Sequence, residues 1–479
     1  MPTTLQKSRV DARKNDGHKS MDDNKKERRN QIARDKEFIP RNSLLTDLFK
    51  INHIQTIYNI FLVMFIILFM TVITHDYIEK GQINFGLNTV RYSFGNLSGV
   101  CRVWILMKIS TFLVYVGFSV WARTRVNFPQ KSLVKTILDY GCLLIFIASL
   151  VVFVLLPAKL LIKEYFPPAS SFIIMMEQVR MLMKLYAFVR SNAPNVLKRK
   201  ADGDKNRGAN VNLCPEFSKF FYFMFAPTLI YRDEYPRTKC ISWRNVLWYL
   251  VEVAIVILYS AFIFEHFVIS AFERHGIRIF ESQTVILTVF SLTLPSVCIY
   301  IFGFYVLLHS WQNAMAELLG FADKLFYTDW WNCTNYSAFY KSWNILVQDW
   351  LYHYIYRDVY DLYRSKIIST VAVFFISAVV HEYIIGFALR FVYPVMTFMF
   401  GGIGLLVLFV TRNFPKMAGN MFVWFSIITG NGIMITLYSM EYYARLRCPP
   451  YNDKLQDLLL PRSWICQEIK NNVSSHLHA

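Results

Sequence analysis

The sequence predicts an all-α polytopic membrane protein with about nine transmembrane helices. Of its 479 residues, 54% are hydrophobic and only 18% are charged, whereas soluble chains carry about a quarter charged residues. Several apolar runs approach the roughly 20 residues that a helix needs to cross a bilayer. Basic residues are concentrated in the hydrophilic segments between these runs. Together these observations exclude an ordinary soluble domain.

Nine apolar stretches are candidates for membrane spans. The fourth is the least regular, because it carries Glu177, Arg180 and Lys184. Those charges either face the interior of a helix bundle or place the helix flat in the membrane interface. The nine stretches lie near residues 54–74, 103–121, 137–161, 169–189, 245–267, 284–309, 366–387, 391–411 and 420–440.

The distribution of Lys and Arg predicts the orientation of the chain. The first hydrophilic segment contains "KKERRN", and basic loops follow the second and fourth spans. Cytosolic loops are enriched in such residues. We therefore expect a basic cytosolic segment at 1–50 without a cleavable signal peptide, a multi-span membrane domain at 51–445 and a lumenal tail at 446–479. The net charge of +18 then reflects topology, and no nucleic-acid binding is expected.

The seventh span contains the strongest candidate for chemistry. Its sequence "STVAVFFISAVVHEYIIGFALRF" places His381 and Glu382 in an apolar helix, with Ser377 one turn before the histidine. An ionisable group in such a span is a functional hypothesis by default, although a neighbouring helix can also satisfy a histidine. We expect His381 to be buried, which favours its neutral, proton-accepting form. It is then a candidate general base.

Other catalytic and metal-binding patterns are absent from the sequence. No GxSxG, HExxH, Walker or GxGxxG motif occurs in a suitable context. The eight cysteines form no CxxC pair and no Cys/His cluster with zinc spacing. A metal site is therefore not expected.

The segment between the sixth and seventh spans, about 310–365, is aromatic and polar at once. It contains "FYTDWWNCTNYSAFYKSWN", and its second half predicts a helix with a polar stripe. Lys341 lies one turn before the stripe, on nearly the same side. The alternative is an amphipathic helix that anchors in the membrane interface. The stripe recurs every four residues and consists of Asn344, Gln348, Tyr352 and Tyr356.

Several separate motifs, in the right order, resemble those of the membrane-bound O-acyltransferases. "FYTDWWN", "SWN" and "VVHEY" resemble the branch that holds the sterol and diacylglycerol enzymes. "FAPTLIYRDEYPR" and the tail "YYARLRCP…PRSWIC" are similar to the sterol O-acyltransferases rather than to the diacylglycerol enzymes. The resemblance covers the chain from about residue 170 onward and leaves the first 50 residues unexplained.

The resemblance implies a fold of nine helices around a reaction chamber buried in the endoplasmic reticulum membrane. Long-chain acyl-CoA, a co-substrate rather than a cofactor, would enter from the cytosol. Cholesterol or a related sterol would enter from the lipid side, and the products would be a steryl ester and free CoA. The resemblance also implies assembly as a homodimer or homotetramer.

Individual residues match the family's motifs. His381 matches the catalytic histidine, Asn344 the asparagine of the "WN" motif and Ser377 a serine near the histidine. The acyl transfer needs a base for the sterol hydroxyl and a donor for the thioester carbonyl, and an amide such as Asn344 can be that donor. Residues that match the substrate passage are Trp343, Lys341, Gln348, Tyr352 and Tyr356.

Position 348 departs from the family pattern. The family commonly has a histidine where this chain has Gln348. His353 cannot replace it, because five residues correspond to about 140° around a helix. An amide does not titrate near neutral pH, so we expect Gln348 to place substrate rather than to transfer a proton.

Two cysteines lie in the predicted lumenal tail. Cys448 and Cys466 share an oxidising compartment, and together with the resemblance this predicts a disulfide between them.

Two alternatives remain open from the sequence. The acceptor can be diacylglycerol or another lipid alcohol. The chain can also be a transporter or receptor whose histidine lines a passage, although a transporter should show an internal repeat or paired discontinuous helices.

Overall fold

A computed structural model describes residues 36–129, 132–198, 214–275 and 282–464. These residues are helical, with no strand longer than an isolated bridge. Among the described residues, seven helices are long and apolar enough to cross a membrane. Two further helices occupy the fourth and eighth predicted spans: Pro168–Leu197, which is more polar, and Thr397–Asn413, which is shorter. The long helices are α1 Asn52–Lys80, α2 Leu97–Val126, α3 Leu133–Lys163, α4 Pro168–Leu197, α5 Trp243–Phe272, α6 Ser282–Leu318, α7 Lys366–Leu389, α8 Thr397–Asn413 and α9 Lys416–Arg447.

Shorter helices connect these elements, so the prediction of an all-α polytopic membrane protein is confirmed. Wide π-helical turns interrupt α5, α6 and α8, and such turns are frequent at functional sites. The π turns are Phe264–Ile269, Tyr305–Ser310 and Thr397–Gly404. The short helices are Leu44–Leu48, Leu87–Ser93, Phe217–Phe225, Trp330–Asn332, Tyr336–Ser342, Ile345–Leu351, the π turn Tyr352–Tyr356, Arg357–Tyr363, Lys454–Leu459 and Arg462–Trp464.

Helices α4 and α7 run antiparallel, as alternating membrane crossings require. Near the end of α4, Arg190 pairs with Asp358, which lies just before α7, with Nη2 and Oδ1 3.1 Å apart. At the opposite end, Arg390 directly after α7 donates a hydrogen bond to the carbonyl of Phe166, just before α4. Each helix therefore begins where the other ends.

The charges of α4 face the interior of the bundle, which decides between the two expectations for this span. Arg180 Nε lies 2.6 Å from the carboxylate of Glu177, and Lys108 of α2 lies 3.3 Å from the same carboxylate. The glutamate side chain is 17% exposed. The fourth span therefore keeps its charged groups paired with one another inside the protein, as polar groups in a membrane require.

The short helix Phe217–Phe225 satisfies the remaining cations of α4. Lys184 is 1% exposed and donates to carbonyls of this helix and of Ala226, at 2.5 and 2.6 Å. Arg180 donates to the carbonyl of Met224 at 3.0 Å. The last carbonyls of a helix lack intrahelical donors and carry partial negative charge. The helix C-terminus therefore acts as the counter-charge for α4.

A proline in α3 creates a second polar link between spans. Pro157 has no N–H, so the carbonyl of Phe153 loses its helical donor. Gln178 Nε2 of α4 donates to this carbonyl and to that of Val154, at 2.8 and 2.9 Å. Tyr383 Oη of α7 lies within 3.1 Å of Val154 O and 2.8 Å of Gln178 Oε1. The link ties three spans together two residues beyond the candidate histidine.

Candidate functional site

The hydrogen bonds of His381 define which ring nitrogen carries a proton. Its Nδ1 lies 2.7 Å from the backbone carbonyl of Ser377, one turn earlier in α7, and 3.5 Å from the hydroxyl of the same residue. A carbonyl only accepts, so Nδ1 carries the hydrogen. In the neutral ring, Nε2 then holds the lone pair. Within the described part of the chain, Nε2 has no hydrogen-bond partner.

The expectation that His381 is buried is wrong. The side chain is exposed, although the aromatic ring of Phe400 in α8 lies beside the imidazole with centroids 5.5 Å apart. The Phe400 ring is also stacked on Phe374, with centroids 5.4 Å apart. The unpartnered nitrogen is thus accessible to a reactant.

Glu382, the neighbour of the histidine, has a different task. Its Oε2 accepts hydrogen bonds from the backbone and hydroxyl of Thr397, at 3.0 and 3.1 Å. Its Oε1 accepts from the hydroxyl of Tyr438 in α9, at 3.2 Å. The carboxylate therefore satisfies the backbone N–H of Thr397, the first residue of α8, which is the helix that brings Phe400 to His381. The sequence signal was present in "VVHEY", but the partners of the glutamate were not predictable.

Asn344 caps the helix Ile345–Leu351. Its Oδ1 accepts a hydrogen bond from the backbone N–H of Val347, at 3.2 Å, the arrangement that makes Asn a favoured cap. This bond identifies Oδ1 and leaves two N–H donors on Nδ2. Across the residues that the structure describes, Nδ2 has no acceptor. The side chain can therefore hold its helix and donate to a substrate oxygen at the same time.

The "FYTDWWN" stretch positions Asn344 through the backbone. Thr328 N donates to the carbonyl of Ser342 at 2.9 Å, and Ile345 N donates to the carbonyl of Phe326 at 3.0 Å. These two bonds lie on either side of Asn344. The stretch is therefore a scaffold for the cap residue.

Helix α9 holds this scaffold from the other side. Asn420 Nδ2 donates to the carbonyls of Trp331 and Cys333, at 3.0 and 2.9 Å. At Gly419 a Cβ atom would lie 2.0 Å from the carbonyl oxygen of Thr334. Only glycine permits this close approach of the two backbones.

The two halves of the site meet at Phe400. Tyr340, which precedes the Lys341–Asn344 stretch, contacts the Phe400 ring with centroids 5.5 Å apart. His381 contacts the same ring at the same centroid distance. Tyr340 also contacts Phe374 of α7, with centroids 4.9 Å apart. The helix Tyr336–Ser342, which precedes Asn344, therefore packs against both α8 and the helix that carries the histidine.

The predicted stripe lies on one continuous helical stretch, with one correction. Residues 345–363 are helical and Asn344 begins them as the cap. Lys341 lies in a separate helix, Tyr336–Ser342, and the cap starts a new one, so helical spacing does not place it on the face of the stripe. Lys341 is exposed and has no ion pair within the described part of the chain.

The tyrosines of the stripe stack on one another. The rings of Tyr352 and Tyr356 are 5.4 Å apart with an interplanar angle of 19°, and Tyr360 continues the stack at 6.3 Å. A spacing of four residues drifts around a regular α-helix. The π turn Tyr352–Tyr356 is wider and offsets this drift, so the stack stays aligned. Gln348 precedes it by one turn and is half-buried.

Trp343 lies in an aromatic cluster. Its ring stacks on Tyr300 of α6 at 4.6 Å with an angle of 12°, and lies 4.7 Å from the ring of Trp330. These contacts give Trp343 a packing role beside the site.

An apolar cavity of about 860 Å³ lies between α2, α3 and α4. Its lining includes Met107, Phe118, Leu150 and Leu185, with Asp139 among the few polar groups. It does not contain the residues predicted for the reaction. No pattern in the sequence indicates this cavity, because its lining residues resemble any lipid-facing helix surface.

The predicted disulfide stays a prediction. Cys448 directly follows the last residue of α9 and is 8% exposed. Cys466 lies outside the described residues. The tail between them is anchored up to Trp464, because Glu441 accepts hydrogen bonds from the backbone N–H groups of Arg462 and Ser463, both at 3.0 Å.

Known proteins match most of the chain. The model of MBOAT, the membrane-bound O-acyltransferase family, matches residues 88–440. Sterol O-acyltransferase 1 of Cricetulus griseus is 38% identical over 440 residues, covering 91% of this chain and 79% of that protein. The Mus musculus protein of the same name is 37% identical over 443 residues, covering 91% and 80%. Sterol O-acyltransferase 2 of Homo sapiens is 36% identical over 441 residues, covering 91% and 81%.

Proposed function

Because this chain belongs to the membrane-bound O-acyltransferase family, we propose that it is an acyl-CoA:sterol O-acyltransferase. It transfers a long-chain fatty acyl group from acyl-CoA to the 3-hydroxyl of cholesterol or a related sterol. The observation that carries the proposal is the accessible, unpartnered Nε2 of His381, with the tautomer defined by Ser377. The sterol acceptor is supported by the relatives that are named sterol O-acyltransferases.

His381 acts as the general base in this mechanism. Its Nε2 accepts the hydroxyl proton while the sterol oxygen attacks the thioester carbonyl. The Ser377 carbonyl, 2.7 Å from Nδ1, holds the ring and stabilises the imidazolium that forms. When the tetrahedral intermediate collapses, the C–S bond breaks and the CoA thiolate takes the proton from Nε2. General-base assistance of this kind is worth about 10² to 10⁴ in rate.

Asn344 supplies the complementary donor. Its Nδ2 donates to the thioester carbonyl oxygen, on which negative charge develops during attack. Such a donor is effective only when it is held in place before the reaction. The cap bond to Val347 and the two backbone bonds to "FYTDWWN" provide that rigidity.

The acyl-CoA lies along the helix that Asn344 begins. Lys341 provides an exposed cation for phosphate, and the stacked rings of Tyr352 and Tyr356 line the passage. Gln348 places the substrate between these groups and Asn344, and Trp343 supports the wall from its aromatic cluster. The sterol approaches His381 from the lipid side, where the imidazole is exposed.

We place the enzyme in the endoplasmic reticulum membrane as a homodimer or homotetramer. The basic segment 1–50 faces the cytosol, the acyltransferase domain comprises 51–445, and the tail 446–479 lies in the lumen with the disulfide Cys448–Cys466. The positive loops after α2 and α4 support this orientation. The oxidising lumen supports the disulfide.

The proposal is tested by the lipid products of cells that express the chain. Cells receive labelled oleate and added cholesterol, and their lipids are separated by thin-layer chromatography. A new steryl ester band is expected. A triglyceride band in its place would favour the alternative, a diacylglycerol acceptor. Absence of any new acylated product in cells that contain folded protein would refute the proposal.

A further inference from the structure

The chain ahead of α1 is part of the packed structure. We call residues 36–49 the N-terminal strap. Arg41 lies in its middle and exchanges two backbone hydrogen bonds with the segment before "FYTDWWN": its N donates to Ala322 O at 2.9 Å, and its O accepts from Lys324 N at 3.1 Å. Its guanidinium also binds both carboxylate oxygens of Asp323, at 2.7 and 3.2 Å. The strap is therefore held along its length by a segment that reaches the site.

Side chains of the strap fill buried positions on either side of Arg41. The Phe38 ring contacts those of Tyr235 and Phe321, with centroids 5.2 and 6.2 Å apart. Ser43 is 1% exposed and accepts a hydrogen bond from Asn313 Nδ2 at 3.0 Å. Side chains on both sides of Arg41 are thus packed against distant parts of the chain.

The first residue of the strap reaches the helix that carries the candidate site residues. Lys36 Nζ forms an ion pair with Asp349, and the two side chains are 15% and 23% exposed. Burial raises the pKa of Asp349 and the Lys36 ammonium opposes this. Without Lys36 the carboxylate would lack its compensating charge in a mostly buried place, which is costly.

The ion pair lies away from the face that meets acyl-CoA. Asp349 follows Gln348 directly and lies five residues after Asn344, about 140° around the helix. It can therefore hold the helix without touching a substrate that lies along the stripe. Since Asn344 and Gln348 belong to the same short helical stretch, a rotation of that helix displaces both.

We propose that Lys36 and Asp349 are positioning residues for acyl transfer, through which the N-terminal strap fixes the helix that presents Asn344 and Gln348 to acyl-CoA. The inference rests on the proposed function. It assigns a task to part of the N-terminal segment that the sequence left unexplained. The strap acts through the helix, and neither charged residue touches the reacting atoms.

Charge reversal and charge exchange test the pair in the full-length protein. Lys36→Glu and Asp349→Lys each place like charges together, and each is expected to lower kcat/KM for acyl-CoA about tenfold per folded molecule. The double variant restores an opposite pair and is expected to recover most of the loss. Lys50→Glu is the matched control, because Lys50 pairs with Asp47 at 2.7 Å in an exposed place, with side chains 66% and 51% exposed. It should leave kcat/KM unchanged.

Size-exclusion profiles and thermal melting of each variant separate positioning from folding. Single reversals that lower only the folded yield, with normal kcat/KM per folded molecule, would overturn the proposal. A double variant no better than the single variants would overturn it as well.

Failure of the proposed function is recognised separately. If the unmodified protein makes no steryl ester, oleoyl-CoA binding to the same variants replaces turnover as the measurement. Weaker binding in the single variants and recovery in the double variant would still support the positioning pair. Equal binding by all variants would contradict it.

Discussion

His309 and His381 both lie on membrane-spanning helices, and the surroundings of their imidazole rings differ. His309 in α6 is 2% exposed, and its Nδ1 lies 2.7 Å from the hydroxyl of Tyr327. Rings of Tyr305, Tyr249 and Phe49 surround it, with centroids 5.0, 5.9 and 6.4 Å away. His381 is exposed, and only its Nδ1 forms a hydrogen bond, with the Ser377 carbonyl of its own helix.

The comparison separates two consequences of placing an ionisable side chain in a membrane span. His309 is buried, and its Nδ1 ties α6 to the "FYTDWWN" scaffold through Tyr327. His381 keeps an accessible nitrogen for a reactant. An ionisable residue in a span therefore indicates a reactive site only when an unpartnered polar atom is also accessible.

The largest expected effect is that of His381→Ala. Steryl ester formation should fall by about 10² to 10⁴, because the general base is removed. Expression, oligomer size and acyl-CoA binding should be normal, since an exposed side chain contributes little to the packing of the helices. Activity per folded molecule, measured beside the size-exclusion profile, checks this. Activity that falls only in step with folded yield would show a structural role like that of His309.

Asn344→Asp separates the two tasks of the asparagine. Aspartate caps a helix about as well as asparagine, so folding should be retained. The amide donor is lost, and turnover should fall by about 10² to 10³. Asn335→Asp is the matched control, because Asn335 caps Tyr336–Ser342 by accepting from Ala338 N at 2.9 Å and should tolerate the change. Equal activity of both variants would remove Asn344 from the mechanism.

His309→Ala should act on stability first. The change removes the Nδ1 partner of the buried Tyr327 hydroxyl and leaves it the longer bond from Leu45 N at 3.4 Å, which costs about 1 to 3 kcal/mol. Turnover should also fall, by less than in His381→Ala, because the scaffold of Asn344 loosens. Thermal melting of the purified variant is the measurement. An unchanged melting temperature would contradict the stabilising role assigned to His309.

Gln348→Ala should weaken acyl-CoA binding by about fivefold, the value of roughly one hydrogen bond. Turnover at saturating acyl-CoA should change much less, because an amide does not titrate near neutral pH. Titration of acyl-CoA against initial rate separates the two. A turnover loss as deep as that of His381→Ala with unchanged affinity would make this assignment wrong.

The smallest expected effect is that of Tyr383→Phe. The carbonyl of Val154 keeps Gln178 as a donor, so the loss should be about 1 kcal/mol of stability and about twofold in turnover. Melting and initial rates measure both. A loss of activity comparable to that of His381→Ala, without a change in melting, would give Tyr383 a part in the reaction that its position does not suggest.

Local patterns in the sequence predict the spans and the histidine. A run of apolar residues is recognised wherever it occurs, and His381 stands out because its neighbours in α7 are apolar. His309 does not stand out in the same way, since it ends the sixth predicted span beside a polar segment. Its partner Tyr327 lies 18 residues away on another element.

The rest of the site depends on contacts between distant parts of the chain. Lys36 and Asp349 are separated by 313 positions, and no local pattern relates them. Lys341 lies one turn before Asn344 in the sequence, but the cap starts a new helix at Asn344, so helical spacing does not carry across it. The exposure of His381 was also missed, since the composition of α7 does not show which of its faces a neighbouring helix covers.

The most direct test of the central claim offers the purified protein a choice of acceptors. Wild-type protein and His381→Ala receive labelled oleoyl-CoA with equal amounts of cholesterol and diacylglycerol, and oleoyl-CoA binding is measured on the same preparations. We predict steryl ester as the main product of the wild type, and none above background from a folded variant that binds oleoyl-CoA normally. Triglyceride as the main product, or steryl ester at near wild-type rate from the variant, would contradict the account.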